Sequence, residues 1–231
     1  GLTNLVTAIA GAFLESRELL VIGGQVKSTD LAKGALRQRG IQEIDGISIT
    51  RSISKEAFRV EEPISKEYFV ELVSESSTNR KGPVVIEVCL DAQGSLALAD
   101  STKMNYSGVK EFAAFHPSGE DIVKLRKKLL NCKRPVLLIG GGVSRKEFDQ
   151  LFPEIEHWGV PVATTWNAAD RIDSDHDLYI GRPNTWGQRS SNYLIQQADL
   201  VIAAGTRLGL QQTGFNWREF VPHGEVVHID I

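Results

Sequence analysis

Two turns rich in glycine follow apolar runs in the second half of the chain. Gly140-Gly141-Gly142 comes directly after the run 135–139, and Gly205 comes after the run 200–204. Glycines between a buried strand and a helix let backbone N–H groups approach a phosphate or a carboxylate. The third glycine of a G-x-G-x-x-G fingerprint is replaced by Arg145, so the pattern leaves a nucleotide site and a plain tight turn both open.

Arg207 stands two residues after Gly205. Its guanidinium could bind a phosphate through two parallel hydrogen bonds, and the alternative is an ordinary exposed arginine. In a doubly wound sheet the loops at the carboxyl ends of the strands converge on one crevice. Arg207 and the turn 140–142 are therefore candidates for the same site.

Gln42, Glu43 and Asp45 form a polar cluster between apolar segments, which by itself indicates a solvated turn.

The five histidines show no i,i+4 pair, and the two cysteines lack metal-ligand spacing, so we assign no metal ligand. The chain has neither G-x-S-x-G nor G-x-x-x-x-G-K-[ST], which excludes a serine hydrolase of that type and a P-loop NTPase.

The balance of 26 basic and 29 acidic residues gives a formal charge of −3 without a basic stripe, so we expect no nucleic-acid partner. The apolar runs are only as long as strands, so we expect no membrane partner. Two cysteines far apart in sequence fit a reducing compartment, which predicts a cytoplasmic location.

Short apolar runs alternate with helical periods along the chain, and this alternation is typical of parallel sheets. We therefore predict an α/β fold of two Rossmann-like three-layer units with mostly parallel sheets. The predicted strands are 19–22, 83–89, 135–139, 160–164, 200–204 and 226–229. The predicted helices follow Thr3 or Asn4, Ser65, Ser118 and Ser144, and Pro153 should kink the last one or divide it into two short helices.

A stretch rich in Ala, Ser and Gly separates the two α/β regions. We place the first domain at 1–95, a linker at 96–117 and the second domain at 118–231. Met104 is the only methionine, and both ends lie within predicted elements, so we expect the chain to be a piece of a longer polypeptide.

Many short motifs occur in an order that resembles the thiamine-diphosphate-dependent enzymes of the acetolactate synthase group. In the first half these are Gly1 to Ala10, Leu20 to Val26, Ile41-Gln42-Glu43 and Ile53-Ser54-Lys55, which resemble the family's pyrimidine-binding domain. The second half resembles the family's central domain through Arg134 to Gly142, Gly159 to Thr165, Leu178 to Gly181, Ser191-Asn192-Tyr193, Ala198 to Arg207, Thr213-Gly214 and His228-Ile229-Asp230.

The resemblance implies decarboxylation of a 2-keto acid such as pyruvate on thiamine diphosphate, held with Mg²⁺, and transfer of the product to an acceptor. It places Asn4 beside the aminopyrimidine of the cofactor and Gln42 near the reaction centre, where an amide can donate to a developing oxyanion. It also implies a homo-dimer or homo-tetramer of the full-length protein.

In the synthases of this family the central domain binds FAD. The positions that align with nucleotide contacts are Gly140, Gly141, Gly142, Thr165, Gly205, Arg207 and Asp230. The family's Gly-Met-His-Gly is Asn184 to Gly187 here, and its Phe-Asp-Asp-Arg is Leu208 to Gln211. These departures favour ADP or no nucleotide over FAD.

Two parts of the family's active site, a glutamate upstream and the G-D-G motif downstream, are absent from these residues, so we expect the chain alone to be inactive. Ile41 replaces the family's phenylalanine, and Cys89-Leu90-Asp91 replaces its Pro-Lys-Asp. Another 2-keto acid substrate therefore remains open. The alternative function is a nucleotide-binding or scaffold module without catalytic activity.

Overall fold

The computed structural model describes residues 1–96 and 116–230. Contacts divide the chain into two compact units, one within 1–114 and the other within 115–231. The predicted linker falls largely on residues 97–115, which lie outside the described residues, so it stays a prediction.

The first unit is a parallel three-stranded sheet with helices on both faces. Its elements are α1 (Leu2–Leu14), β1 (Leu19–Gln25), α2 (Gly46–Thr50), β2 (Glu56–Val60), α3 (Lys66–Ser74), β3 (Pro83–Cys89) and α4 (Leu90–Gly94). The strand order is β1-β3-β2, so β3 has a hydrogen-bonded neighbour on each side.

The side chains of β3 alternate between two cores because successive residues of a strand face opposite sides of the sheet. Ile86 packs with Leu72 of α3 on one face, and Val85 packs with Ile9 of α1 on the other. These four side chains are almost completely buried. A strand covered on both faces is mostly apolar, which is why the run 83–89, apolar except for Glu87, was recognisable from sequence.

The second unit is a parallel five-stranded sheet, also covered on both faces. Its elements are α5 (Gly119–Asn131), β4 (Pro135–Ile139), α6 (Arg145–Trp158), β5 (Val162–Thr164), β6 (Tyr179–Gly181), α7 (Arg189–Gln197), β7 (Leu200–Ala204), α8 (Leu210–Thr213) and β8 (Glu225–Ile229). Phe148 of α6 packs on one face of the sheet and Ile195 of α7 on the other. The predicted α/β class with mostly parallel sheets is confirmed.

The strand order of this sheet is β6-β5-β4-β7-β8. From β4 the chain proceeds to β5 and β6 on one side, and it then returns to place β7 and β8 on the other side. The order therefore reverses between β4 and β7. In open α/β sheets ligands bind beside the carboxyl ends of the strands at such a switch point.

The prediction that Pro153 could divide its helix in two is wrong, because α6 is one helix from Arg145 to Trp158. Proline removes the hydrogen bond that residue 153 would donate to the carbonyl of Asp149. The helix continues because Phe148 and Phe152 before the proline and Ile155 after it pack into one core. The capping boxes predicted at Ser118 and Ser144 are both present.

Some element bounds differ from those predicted. Helix α1 begins at Leu2, before Thr3, and β5 begins at Val162 instead of residue 160.

No helix in the described parts of the chain combines the length and the apolar character needed to cross a membrane.

Candidate functional site

The two glycine turns meet at the switch point of the second unit. Gly142 N donates to Gly205 O at 2.9 Å, and Gly140 N donates to Ala204 O at 2.8 Å. A side chain at Gly140 would overlap the Gly205 carbonyl, and a Cβ on Gly142 would lie 2.8 Å from Gly205 Cα. The turns can approach this closely only because both consist of glycine at the contact.

The backbone N–H groups around the first turn are largely used within the protein. Val143 N donates to Gly140 O at 3.1 Å. At the start of α6, Ser144 N donates to the Glu147 carboxylate at 2.8 Å, and Glu147 N donates to Ser144 Oγ at 3.2 Å. The carboxylate of Glu147 thus lies at the helix N-terminus, where a phosphate would otherwise be favoured. This geometry gives the glycines a packing role, while their predicted role in nucleotide binding stays a prediction.

Thr165 follows β5 at the same edge of the sheet. Its N–H donates to the carbonyl of Ile139 at 2.9 Å, which places it beside the end of β4. The short 3₁₀ turn after it brings Asn167 against Gly141, where an added Cβ would lie 2.8 Å from Asn167 Cβ. The structure therefore brings Thr165 together with the glycine turn 140–142.

Arg207 and Asp230 lie on the β7 and β8 side of the switch point. Arg207 is exposed, and its predecessor Thr206 accepts a hydrogen bond from His228 Nε2 at 2.6 Å. His228 Nε2 is also 3.7 Å from the Asp230 carboxylate. His228 thereby connects the end of β8 to the loop after β7, and this histidine was not among the predicted site residues.

Two exposed tryptophans lie in the loops that follow β5 and β6, and the prediction of site residues did not include them. The rings of Trp166 and Trp186 have centroids 6.5 Å apart and are tilted by 35°. Their exposed fractions are 55% and 74%. Exposed aromatic faces of this kind can stack on a planar ring. For Trp166 the available signal was its position after the predicted strand 160–164, since the loops of α/β sheets bind ligands there, whereas Trp186 follows a strand that the sequence did not predict.

In the first unit, Asn4 and Gln42 are both exposed. Asn4 lies in the first turn of α1, and Gln42 lies in a turn with a left-handed φ of 58°. The start of α1 contacts the start of α2, because Leu2 packs so closely against Gly46 that a side chain there would overlap it. The structure thus places the helix that carries Asn4 against the helix that follows the Gln42 turn.

Glu43 organises the backbone around Gln42. Its carboxylate accepts hydrogen bonds from Ala32 N at 2.6 Å, Arg39 N at 2.7 Å and Gly40 N at 2.9 Å. These backbone hydrogen bonds, of which the one from Ala32 has the largest effect, lower the pKa of Glu43 from its ordinary value of 4.5. A depressed folded-state pKa means that the charged form stabilises the turn.

We expect this stabilisation to be lost in acid. It is fully present above the ordinary pKa of 4.5 and disappears as the pH falls through the lower folded-state pKa. Hydrogen-exchange protection of the amides of Ala32, Arg39 and Gly40 should therefore fall in that range. A Glu43→Gln variant should have low protection at every pH, and Glu62→Gln, at an exposed carboxylate, serves as the control. Unchanged protection in Glu43→Gln would contradict the assignment.

Within residues 1–96 and 116–230, no group of three or more His, Cys, Asp or Glu side chains is arranged to hold a metal ion. Cys89 and Cys132 are both free.

The fold defines a Rossmann-like α/β unit whose parallel sheet has a switch point, and the comparison of sequences shows which proteins the chain resembles. Residues 122–231 match the central domain of thiamine pyrophosphate enzymes. The whole chain aligns with the acetolactate synthase large subunit of Corynebacterium glutamicum at 33% identity, covering 36% of that protein. It aligns in full with a probable acetolactate synthase large subunit of Methanocaldococcus jannaschii at 32% identity, covering 39% of that protein.

A third relative is the acetolactate synthase isozyme 2 large subunit of Escherichia coli, with 29% identity over the whole chain and 40% of the relative covered. The chain is thus similar over its whole length to acetolactate synthase large subunits, and its second half matches the central domain of thiamine pyrophosphate enzymes. It spans between 36% and 40% of the length of these three relatives.

Proposed function

We propose that the chain is part of a thiamine-diphosphate-dependent enzyme that decarboxylates a 2-keto acid and transfers the product to an acceptor, as an acetolactate synthase does. The observation that carries this proposal is the extent of the similarity, which runs through both units to acetolactate synthase large subunits. On this proposal residues 1–95 belong to the pyrimidine-binding domain, 96–117 to a linker and 118–231 to the central domain.

Thiamine diphosphate, when bound, supplies the electron sink for decarboxylation. We assign Asn4 to orientation of the aminopyrimidine through its side-chain amide, and Gln42 to hydrogen bonding with the oxyanion that develops on the substrate. A neutral amide can donate to an oxyanion without changing its own protonation state. Both side chains are exposed, as residues that face a ligand must be before it binds.

The described residues lack a metal cluster, so we propose that Mg²⁺ and the diphosphate are held by other residues of the active protein. The resemblance further supports a homo-dimer or homo-tetramer with the active site between subunits. The two free cysteines support a cytoplasmic location.

The decisive experiment measures CO₂ release from pyruvate and related 2-keto acids by the complete native polypeptide that contains this chain. We expect turnover that requires both thiamine diphosphate and Mg²⁺, and loss of most of it in Gln42→Ala. The isolated 231-residue chain should be inactive. A native polypeptide that neither binds thiamine diphosphate nor releases CO₂ would refute the proposal and favour the nucleotide-binding or scaffold module.

We also infer that the switch-point site favours ADP or no nucleotide over FAD, and that its exposed side chains favour ADP of these two. The exposed cation of Arg207 offers a phosphate partner, and the aromatic faces of Trp166 and Trp186 offer a partner for a planar ring. The family's flavin-contacting motifs are replaced at Asn184 to Gly187 and Leu208 to Gln211. The residues present fit a phosphate at Arg207 better than one at the start of α6, where the Glu147 carboxylate lies.

The purified native protein should therefore lack a flavin absorbance band, and calorimetric titration should detect ADP binding. We expect Arg207→Met to weaken ADP binding by at least about tenfold, since charge-assisted hydrogen bonds contribute about 1.5–3 kcal/mol. Arg218→Met, at another exposed arginine of the same unit, is the matched control. A flavin band that persists through purification would overturn the preference for ADP.

A further inference from the structure

Glu87 is a buried carboxylate in the middle strand of the first unit. Its side chain is only 3% exposed, and its Oε2 accepts a hydrogen bond from Arg59 Nε at 3.0 Å. The pairing follows from the register, because Arg59 of β2 lies directly opposite Glu87 of β3. Burying a carboxylate costs free energy unless a partner such as the Arg59 guanidinium offsets the lost hydration.

The guanidinium of Arg59 also reaches a second carboxylate. Its Nη2 lies 3.0 Å from Asp45 Oδ1. Asp45 is the N-cap of α2 and accepts a hydrogen bond from Ser48 N at 3.2 Å. Arg59 therefore connects the centre of the sheet to the first turn of α2.

The chain between Gln42 and α2 is fixed at each successive residue. Glu43 accepts three backbone hydrogen bonds, and Ile44 O accepts one from Gln25 Nε2 at 3.0 Å. Asp45 is held by Arg59, and Gly46 rests directly on Glu87, whose carboxylate a side chain at that position would overlap. Gln42 comes immediately before this fixed segment.

We propose that Arg59 and Asp45 are positioning residues that hold the Gln42 turn at a set place relative to the sheet. The proposal rests on the role assigned to Gln42 above, and it extends that role to the ion pair that supports it. Neither Arg59 nor Asp45 touches a reacting atom; both act through the backbone of residues 42–46.

The test uses Asp45→Asn in the complete native polypeptide. Asparagine is an equally good N-cap, so α2 should persist while the ion pair to Arg59 is lost. The Asp45 side chain is 60% exposed, so folding should not depend on its charge. Glu18→Gln is the matched control, because it breaks another exposed ion pair, to Lys81 at 3.0 Å, near the amino end of β1.

We expect Asp45→Asn to lower kcat for 2-keto acid turnover roughly tenfold, since small misplacements of a catalytic group have effects of this order or larger. The Kd for thiamine diphosphate should be unchanged. In a Gln42→Ala background, Asp45→Asn should have no further effect on kcat. A purely structural role would instead give additive effects in this double-mutant cycle.

Hydrogen exchange supplies a readout that does not require turnover. The amides of residues 40–44 should exchange faster in Asp45→Asn than in the wild type or in Glu18→Gln. If the wild type is inactive but this exchange rises, the proposed function fails while the anchoring of the turn stands. If the wild type is active and Asp45→Asn behaves like Glu18→Gln in both measurements, the positioning proposal is overturned and the proposed function stands.

Discussion

Replacing Gly140 with alanine should destabilise the second unit. Overpacking a well-packed site typically costs about 1–3 kcal/mol of unfolding free energy, and we expect a cost toward the upper end of this range. The added methyl group would overlap the carbonyl oxygen of Gly205 and lie about 2.5 Å from Thr206 Cβ. Backbone atoms cannot rotate away as a flexible side chain can, so relief requires β4 and β7 to separate at their carboxyl ends. Chemical denaturation followed by tryptophan fluorescence reports on this unit, because all four tryptophans of the chain lie in it.

Gly119→Ala is the control for this prediction. Gly119 is the first residue of α5, and a Cβ built there meets no atom within 4 Å. Alanine is also the better helix former, so the free energy of unfolding should stay the same or rise slightly. Equal destabilisation by the two substitutions would show that the close approach of Gly140 to Gly205 is not what the glycine is needed for.

The glycine turns show where the interpretation of sequence was incomplete. The run 140–142 was recognised because glycines between a strand and a helix permit close approach, but the pattern cannot say what approaches. In the structure the partner is the backbone of Gly205, with Gly142 N bonded to its carbonyl. A phosphate and another loop can each come this close to the backbone only where the residue has no side chain, so glycine is required in both cases. Only the sheet order, which places β4 beside β7, distinguishes them.

A strand was predictable where an apolar run marked it in the sequence. The bounds of β4 and β7 coincide with the predicted runs, since both strands lie inside the sheet and are apolar throughout. Strand β2 was not predicted, because Glu56 and Arg59 interrupt its apolar pattern. Strand β6 has only three residues, which is too few for a period to show.

The ion pair of Arg59 with Glu87 was also invisible in the sequence. The two residues are 28 positions apart, and they meet only because β2 and β3 pair in one particular register. Glu87 was assigned to a predicted strand, but its charge had no explanation there. The role of a buried polar residue in a strand can be assigned only when its partner on the neighbouring strand is known.

Removing Arg59 from this pair is expected to have the largest effect on the first unit. Arg59→Met preserves much of the apolar stem but leaves the carboxylate of Glu87, only 3% exposed, without its guanidinium. Breaking a buried ion pair on one side costs about 3–5 kcal/mol, because the remaining charge stays desolvated. Hydrogen exchange of the amides of β3 measures this loss, since the central strand opens only when the sheet does.

The double variant Arg59→Met with Glu87→Met separates the cost of the orphaned charge from the cost of lost packing. Apolar side chains of similar volume often replace a buried ion pair with little change in stability. Protection of the β3 amides should therefore return close to the wild-type level. If the double variant is as unstable as Arg59→Met alone, the sheet depends on the geometry of the pair itself and not on neutralisation of Glu87. Asp45→Asn, which leaves the Arg59–Glu87 pair intact, should keep wild-type protection in β3 while loosening residues 40–44.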